Sequence, residues 1–280
     1  MTFVKNKFVR LLIPYFSIAI IYVIPIRLLT KYSGYQNKSY IELIVQNVVL
    51  GKDIGHLWFL PTLFLIFILF YLFEKHIRKL PSTLGIWFFI SLSIISGFMP
   101  TIFFIQRALS YSLYFYIGYK VRELVQKREN IGNKTILVGL FILQFIGFGF
   151  SIITRNQNLI IFNGLDLLFD KLASLSSVLF YYLLFNKLST KKAALTENKI
   201  IKLIDKESFQ IYLFHSPLIY IVLYNIQNYK ITPFLVVTGN VLICVFGSIF
   251  ISKLVEYMNV FNVLIGKKQT LGLKKLIYKA

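Results

Sequence analysis

One cysteine, Cys244, stands in 280 residues, so no disulfide can close within the chain and no thiol pair is available for zinc or redox chemistry. Acidic residues are nearly as scarce: 11 Asp and Glu face 31 Lys and Arg, and charged residues make up only 15% of the chain. A soluble domain of this length needs more charge to stay dispersed. Histidine occurs three times, as His56, His76 and His215, never at metal-ligand spacing, so no metal site is expected. A Gly-rich phosphate loop and a Gly-x-Ser-x-Gly elbow are also missing, which excludes P-loop enzymes and α/β-hydrolases. No stretch alternates like a membrane β-barrel strand, and no internal repeat is visible.

What is abundant is apolar: 57% of residues are hydrophobic, and the mean hydropathy is +0.69. They fall in eight runs, near 9–29, 56–73, 84–100, 102–118, 135–153, 165–186, 208–226 and 233–254. Most reach the roughly 17–25 residues that a helix needs to cross the hydrocarbon. Backbone polar groups in lipid must pair internally, which favours helices. The expected fold is all-α: a polytopic transmembrane bundle of about eight spans, forming a single membrane domain over residues 1–280. The first run is not a cleavable signal, because it holds Arg10 at its start and Arg27 near its end and lacks a small-residue cleavage site.

Charge sets the orientation. With the N-terminus inside, segments 1–10, 74–83, 119–134, 187–207 and 253–280 carry 23 of the 31 basic residues. The outside connections carry only Arg27, Lys31, Lys38, Lys52, Arg155 and Lys230, while Arg107 and Lys171 fall within spans. The bias alternates at every loop and places both termini inside. The formal charge of +20 does not indicate nucleic acid, since the cations sit in short loops rather than along one stripe. In the longest outside connection, 30–55, the segment from Tyr40 to Gly51 has helical periodicity but is too short to span; it is expected to be interfacial or re-entrant. The tail from Gly266, with Lys267, Lys268, Lys274 and Lys275, reads as a basic juxtamembrane segment.

Ionisable groups within spans are candidate sites because they are costly there. Arg107 lies about a turn inside the outer end of its helix. Asp166, Asp170 and Lys171 open the sixth span at the same side, and Asp166 and Asp170, four apart, share a face. Arg107 paired with Asp170 would serve either as structural glue or to hold a polar substrate. His56 lies in Gly55-His-Leu-Trp-Phe-Leu-Pro61, beside Trp58 at a membrane boundary, as a wet side chain or a functional one. His215 falls about two turns, some 10 Å, into the seventh span counted from residue 208. Pro217 frees backbone carbonyls near it. Hydrogen-bonded to a neighbouring helix, or lining a polar cavity with Tyr212 and Gln210, are both open to it. His76 is a loop residue of the headgroup zone.

Four segments in order carry a resemblance: Phe3-Val-Lys-Asn-Lys-Phe-Val-Arg-Leu-Leu-Ile-Pro-Tyr15, Gly55-His-Leu-Trp-Phe-Leu-Pro61, Phe115-Tyr-Ile-Gly-Tyr119, and Ser208-Phe-Gln-Ile-Tyr-Leu-Phe-His-Ser-Pro217. Together they resemble the acyltransferase-3 family of integral membrane acyltransferases, which modify cell-surface polysaccharides, lipopolysaccharide and related glycans. In that family two further spans precede the basic segment, and the first ends near a His regarded as the catalytic base. This chain begins at the basic segment, which a misplaced start codon, a truncated gene or a partner polypeptide would each explain.

The resemblance implies transfer of an acyl group, foremost acetyl, from cytoplasmic acyl-CoA to a glycan or lipid-linked saccharide hydroxyl in a bacterial cytoplasmic membrane. Acetyl-CoA is then a co-substrate, and no tightly bound cofactor is expected. His215 and Tyr212 are assigned to the catalytic cavity on the donor side. His56, Trp58, Arg107 and Asp170 are assigned to substrate binding on the acceptor side, and Lys120 and Arg122 to the CoA phosphates. The rival readings are a transporter or flippase for a lipid-linked saccharide, and a non-catalytic remnant or subunit. The acceptor sugar and the oligomeric state have no signature in the sequence.

Overall fold

The computed structural model describes residues 2–126, 133–155, 160–191 and 198–267, and among these every regular element is helical. The expected loop cations in 127–132 and 192–197, and Lys268, Lys274 and Lys275 of the tail, lie outside the described residues. In chain order the helices are α1 Phe3–Leu29, α2 Tyr40–Val49, α3 Gly55–Lys79, α4 Ser82–Ser96, α5 Ile105–Gln126, α6 Lys134–Arg155, α7 Ile160–Lys191, α8 Lys199–Ile226 and α9 Pro233–Tyr257, followed by a 3₁₀ stretch, Asn259–Ile265.

The polytopic all-helical fold agrees with the sequence, and among the described residues six helices are long and apolar enough to cross a membrane: α1, α3, α6, α7, α8 and α9. Helix α4 has 15 residues, about 22 Å, and falls short of a hydrocarbon layer roughly 30 Å thick. Helix α5 is long enough at 22 residues but carries Arg107, Lys120, Arg122 and Glu123. Only 11% of the apolar window of α9 is buried inside the protein, and Phe234, Phe246 and Phe250 stand out from it.

The chain folds as two compact units, Met1–Phe115 with Leu203–Ala280, and Tyr116–Lys202. In the first, the core is built on one face of α1: Tyr15, Ala19, Val23 and Ile24 pack with Leu43, Val48, Leu57, Leu60, Leu213 and Phe214. Wider π-type turns, Phe8–Leu12 and Ala19–Val23, precede Pro14 and Pro25. Proline lacks an N–H and its ring crowds the carbonyl four residues back, and the widened turn relieves that clash.

The connection 30–55 turns back against α1. Ser39 caps α2 by accepting from the Glu42 amide at 3.1 Å. Tyr40 Oη donates to Ile20 O at one end of α2, and Val48 O accepts from Tyr15 Oη at 2.6 Å at the other. The helix therefore runs down beside the middle of α1, and its Leu43 and Val48 are buried there.

At the other end of the unit, Glu207 of α8 is fully buried and ion-paired to Lys267 at 2.9 Å and Lys253 at 3.3 Å. Lys267 also meets Glu256. Lys267 is thus an internal counter-ion, not the first residue of a solvated tail. Gly266, at φ +72°, ends the 3₁₀ stretch before it. A Cβ at Gly266 would lie 3.0 Å from Arg10 O, Phe209 Cε1 and Pro14 Cγ. Gly266→Ala is expected to destabilise the protein by about 1–2 kcal/mol, from left-handed strain plus the displaced contacts. A lower thermal midpoint in detergent checks this.

The second unit is the antiparallel pair α6 and α7. Gly147 lets them touch backbone to backbone, since a Cβ there would lie 2.9 Å from Ala173 N. Ser151 of α6 faces both Asp166 Oδ1, at 2.6 Å, and Asp170 Oδ1, at 2.7 Å, so the two carboxyl groups do share one helix face.

Candidate active site

Pro217 sits inside α8 and has no N–H to give Leu213 O, its partner four residues back. That carbonyl faces His56 Nε2 at 3.2 Å instead. A carbonyl only accepts, so Nε2 carries the proton and Nδ1 keeps its lone pair. Nδ1 is buried and has no hydrogen-bond partner among the described residues. His56 is brought there by a 3₁₀ turn, Gly55–Trp58, that starts α3, and its own carbonyl accepts from Tyr212 Oη at 2.5 Å.

His215 is pinned in the opposite sense. Its Nδ1 lies 2.8 Å from Tyr212 O and 3.0 Å from Ile211 O, which places the proton on Nδ1 and leaves the Nε2 lone pair. The His56 and His215 rings stand edge to face with centroids 4.8 Å apart, and Tyr212 lies 5.4 Å from His56. Cys244 has no exposed thiol role here; its Sγ donates to His215 O at 3.5 Å.

The sequence separates His56 and His215 onto opposite sides of the membrane, whereas the structure joins them in one site. Helix α8 begins at Lys199, so His215 lies 16 residues along it, about 24 Å from its start. Tyr212 also reads differently once placed. Its hydroxyl proton is committed to the His56 carbonyl, which makes it a positioning group in this arrangement.

Beside this pair lies a residue with no functional expectation from its sequence context. Arg27, at the end of α1, is 1% exposed. Its Nη1 donates to Tyr35 Oη at 2.9 Å and to Asp53 O and Oδ1 at 3.2 Å; Nη2 donates to Tyr220 Oη at 3.2 Å. Tyr32, Tyr35 and Tyr220 also surround the guanidinium at 4.7–5.1 Å from their ring centroids. Burial pushes the Tyr35 phenol above its ordinary pKa, against the opposing pull of Arg27, so it stays a neutral partner at neutral pH. Gly55, next to His56, has φ +63°, and a Cβ there would lie 2.3 Å from Arg27 Nη2. Counting Arg27 as one more outside-loop cation hides it; a basic residue in the last turn of a span, with a tyrosine-rich loop after it, is the available signal.

The remaining candidates are distributed. Arg107 lies over the Trp58 indole at 5.2 Å, and Trp58 packs on Tyr111 at 5.3 Å. Asp170 takes the Ser151 contact in the second unit. Lys120 pairs with Glu123 at 3.2 Å and lies over the Tyr116 and Tyr119 rings, while Arg122 is exposed. His76 is exposed, as its loop position requires. No group of three or more His, Cys, Asp or Glu among the described residues is placed to hold a metal ion.

A cavity of about 450 Å³ lies within the first unit and is lined in part by Tyr212. Lys7, Arg10 and Ser208 line one part of it, Leu63 and Phe67 its wall, and Tyr212 its far side. Cations and an apolar wall thus share one cavity with Tyr212, whose ring lies 5.4 Å from that of His56.

The profile of Acyl_transf_3, an acyltransferase domain, matches residues 1–253. No curated protein and no solved structure matches the chain. The match runs from the basic start of α1 through both histidines and into α9, and on it the chain belongs to the Acyl_transf_3 family of acyltransferases.

Proposed function

We propose that the protein transfers an acyl group, foremost acetyl, from cytoplasmic acyl-CoA to a hydroxyl of a cell-surface or lipid-linked glycan in a bacterial cytoplasmic membrane. The observation that carries this reading is the pair of imidazoles in edge-to-face contact, each with one nitrogen held against a backbone carbonyl. Acyl transfer to an alcohol needs a base, and an imidazole held in this way can serve as one. His215, half-buried where His56 Nδ1 is enclosed, is the base in this scheme. Its Nε2 takes the acceptor hydroxyl proton as that oxygen bonds to the thioester carbonyl carbon. The tetrahedral intermediate then breaks its C–S bond, and the proton returns from the imidazolium to the CoA sulfur. His56, Tyr212 and the Leu213 carbonyl hold the imidazoles in place.

The cavity at Lys7 and Arg10 supports acyl-CoA as donor. Its cations suit phosphates, and its apolar wall suits the pantetheine arm. It is a better placed donor site than Lys120 and Arg122, because Lys120 already has Glu123 as its ion partner. Labelled acetyl-CoA supplied to membranes containing the full chain tests the reading, with alkali-labile acetyl on extracted glycan as the product. Lys7→Ala with Arg10→Ala is expected to raise KM for acetyl-CoA about tenfold and leave kcat little changed. Movement of lipid-linked saccharide across the membrane with no covalent acylation would establish the transporter reading instead.

A further inference from the structure

Beyond residue 253, where the family match ends, the chain returns to the cavity that Lys7 and Arg10 line. The 3₁₀ stretch Asn259–Ile265 buries Ile265 in the core of the first unit, and the Ile265 carbonyl accepts from Gln210 Nε2 of α8 at 3.5 Å. Gly266 comes next, so close to α1 and α8 that a Cβ would lie 3.0 Å from Arg10 O, Pro14 Cγ and Phe209 Cε1. Arg10 and Phe209 line the cavity, as does Ser208, the neighbour of Glu207. Arg10 O is the carbonyl four residues before Pro14, which has no N–H to give it, and it lies in the widened turn Phe8–Leu12.

Lys267 ties these pieces together. Its Nζ donates to Glu207 Oε2 at 2.9 Å and to Ser252 Oγ at 3.1 Å, and it also meets Glu256. Glu207 is fully buried; its second cation, Lys253, lies 3.3 Å away but is shared with Glu256 at 2.8 Å. Two lysines therefore balance two glutamates. Without Lys267 one carboxylate is in excess at a buried position, a cost that local rearrangement relieves. We infer that Lys267 is a positioning residue of this cavity. By drawing Glu207 toward the segment that carries Gly266, it sets Ser208, Phe209 and the Arg10 backbone where they line the donor side. It acts through these residues, so it governs donor binding and not the chemistry at His215. Acyl-CoA as the ligand rests on the acyl-transfer reading; the positioning itself does not.

The test uses the full chain in nanodiscs, with Lys267→Met, which keeps most of the side-chain bulk and removes the charge, and Lys267→Arg, which keeps the charge. Lys267→Met is expected to raise KM for acetyl-CoA about five- to tenfold with kcat little changed, and Lys267→Arg to stay near the parent. In an Arg10→Ala background Lys267→Met should add little, because both changes act on one contact set. Hydrogen exchange is expected to be at least about tenfold faster in peptides covering 8–14 and 207–211, and unchanged in α3. If Lys267→Met is not monodisperse, Lys267→Met with Glu207→Gln, which leaves no unpaired buried carboxylate, is measured against the same expectations. Unchanged exchange at 8–14, or faster exchange throughout the chain, would overturn the inference. A KM unchanged in Lys267→Met but raised in Lys7→Ala with Arg10→Ala would also overturn it and keep the donor reading. Locally faster exchange in protein that binds no acetyl-CoA would keep the positioning role and refute the donor reading.

Discussion

His215→Ala is expected to lower acyl transfer by about 10²–10⁴-fold, the usual contribution of a positioned general base. The protein should still insert, because His215 is only half-buried and its Nδ1 contacts are to its own helix. Transfer preserved in His215→Ala would remove the base from this site while leaving the family membership intact. Pro217→Ala separates positioning from packing. It restores an N–H that competes for Leu213 O, the carbonyl that holds His56 Nε2 at 3.2 Å. Transfer is expected to fall about tenfold through loss of that hydrogen bond, although α8 becomes more regular and the protein no less stable. Tyr212→Phe, which removes only the bond to His56 O, should have a similar, smaller effect. Arg107→Ala, tested in the same assay, removes a cation stacked on Trp58 and is expected to change transfer least.

Arg27→Ala is expected to cost about 3–5 kcal/mol of folding stability, the range for removing one member of a buried ionic and hydrogen-bonded group. The change strips partners from Tyr35, Tyr220 and Asp53 together. It also releases the two ends of the connection 30–55, since Tyr35 lies before α2 and Asp53 after it. Gly55→Ala should be damaging for a linked reason: its Cβ would lie 2.3 Å from Arg27 Nη2, at a φ of +63°. The two changes are therefore expected to be non-additive. In an Arg27→Ala background the clash is gone, and Gly55→Ala should cost only the left-handed strain, about 1 kcal/mol. Reversible unfolding in mixed micelles, read as a double-mutant cycle, measures the coupling. Strict additivity would show that Gly55 does not seat the guanidinium.

The membrane class and the helical fold were legible in residues 1–280 because lipid imposes a one-dimensional rule. A span needs a long apolar run, and its ends are marked by where Lys and Arg fall. Runs 84–100 and 102–118 correspond to α4, Ser82–Ser96, with 15 residues, and to α5, Ile105–Gln126, which carries four charged residues. Lys199, Lys202 and Lys206 read as loop residues in the sequence, yet helix α8 runs through them: residues 199–206 are helical and exposed, and Glu207, the first buried residue, is ion-paired to Lys253 and Lys267.

Single residues at single positions therefore reveal chemistry only in outline. His56, Tyr212 and His215 were readable as candidates from their residue types and the motifs around them. That His56 and His215 share one site, with a proton assigned to each ring, follows from a carbonyl freed by Pro217 and met from 157 positions away in the chain. The importance of Arg27 is of the same kind. Its charge was visible and so was the loop after it, but not that Tyr35, Asp53 and Tyr220 would close around it. Hydropathy and loop charge act locally along the chain, and so the sequence by itself determined the helical membrane fold. Hydrogen bonds between helices depend on which faces meet, and only the tertiary structure decided those.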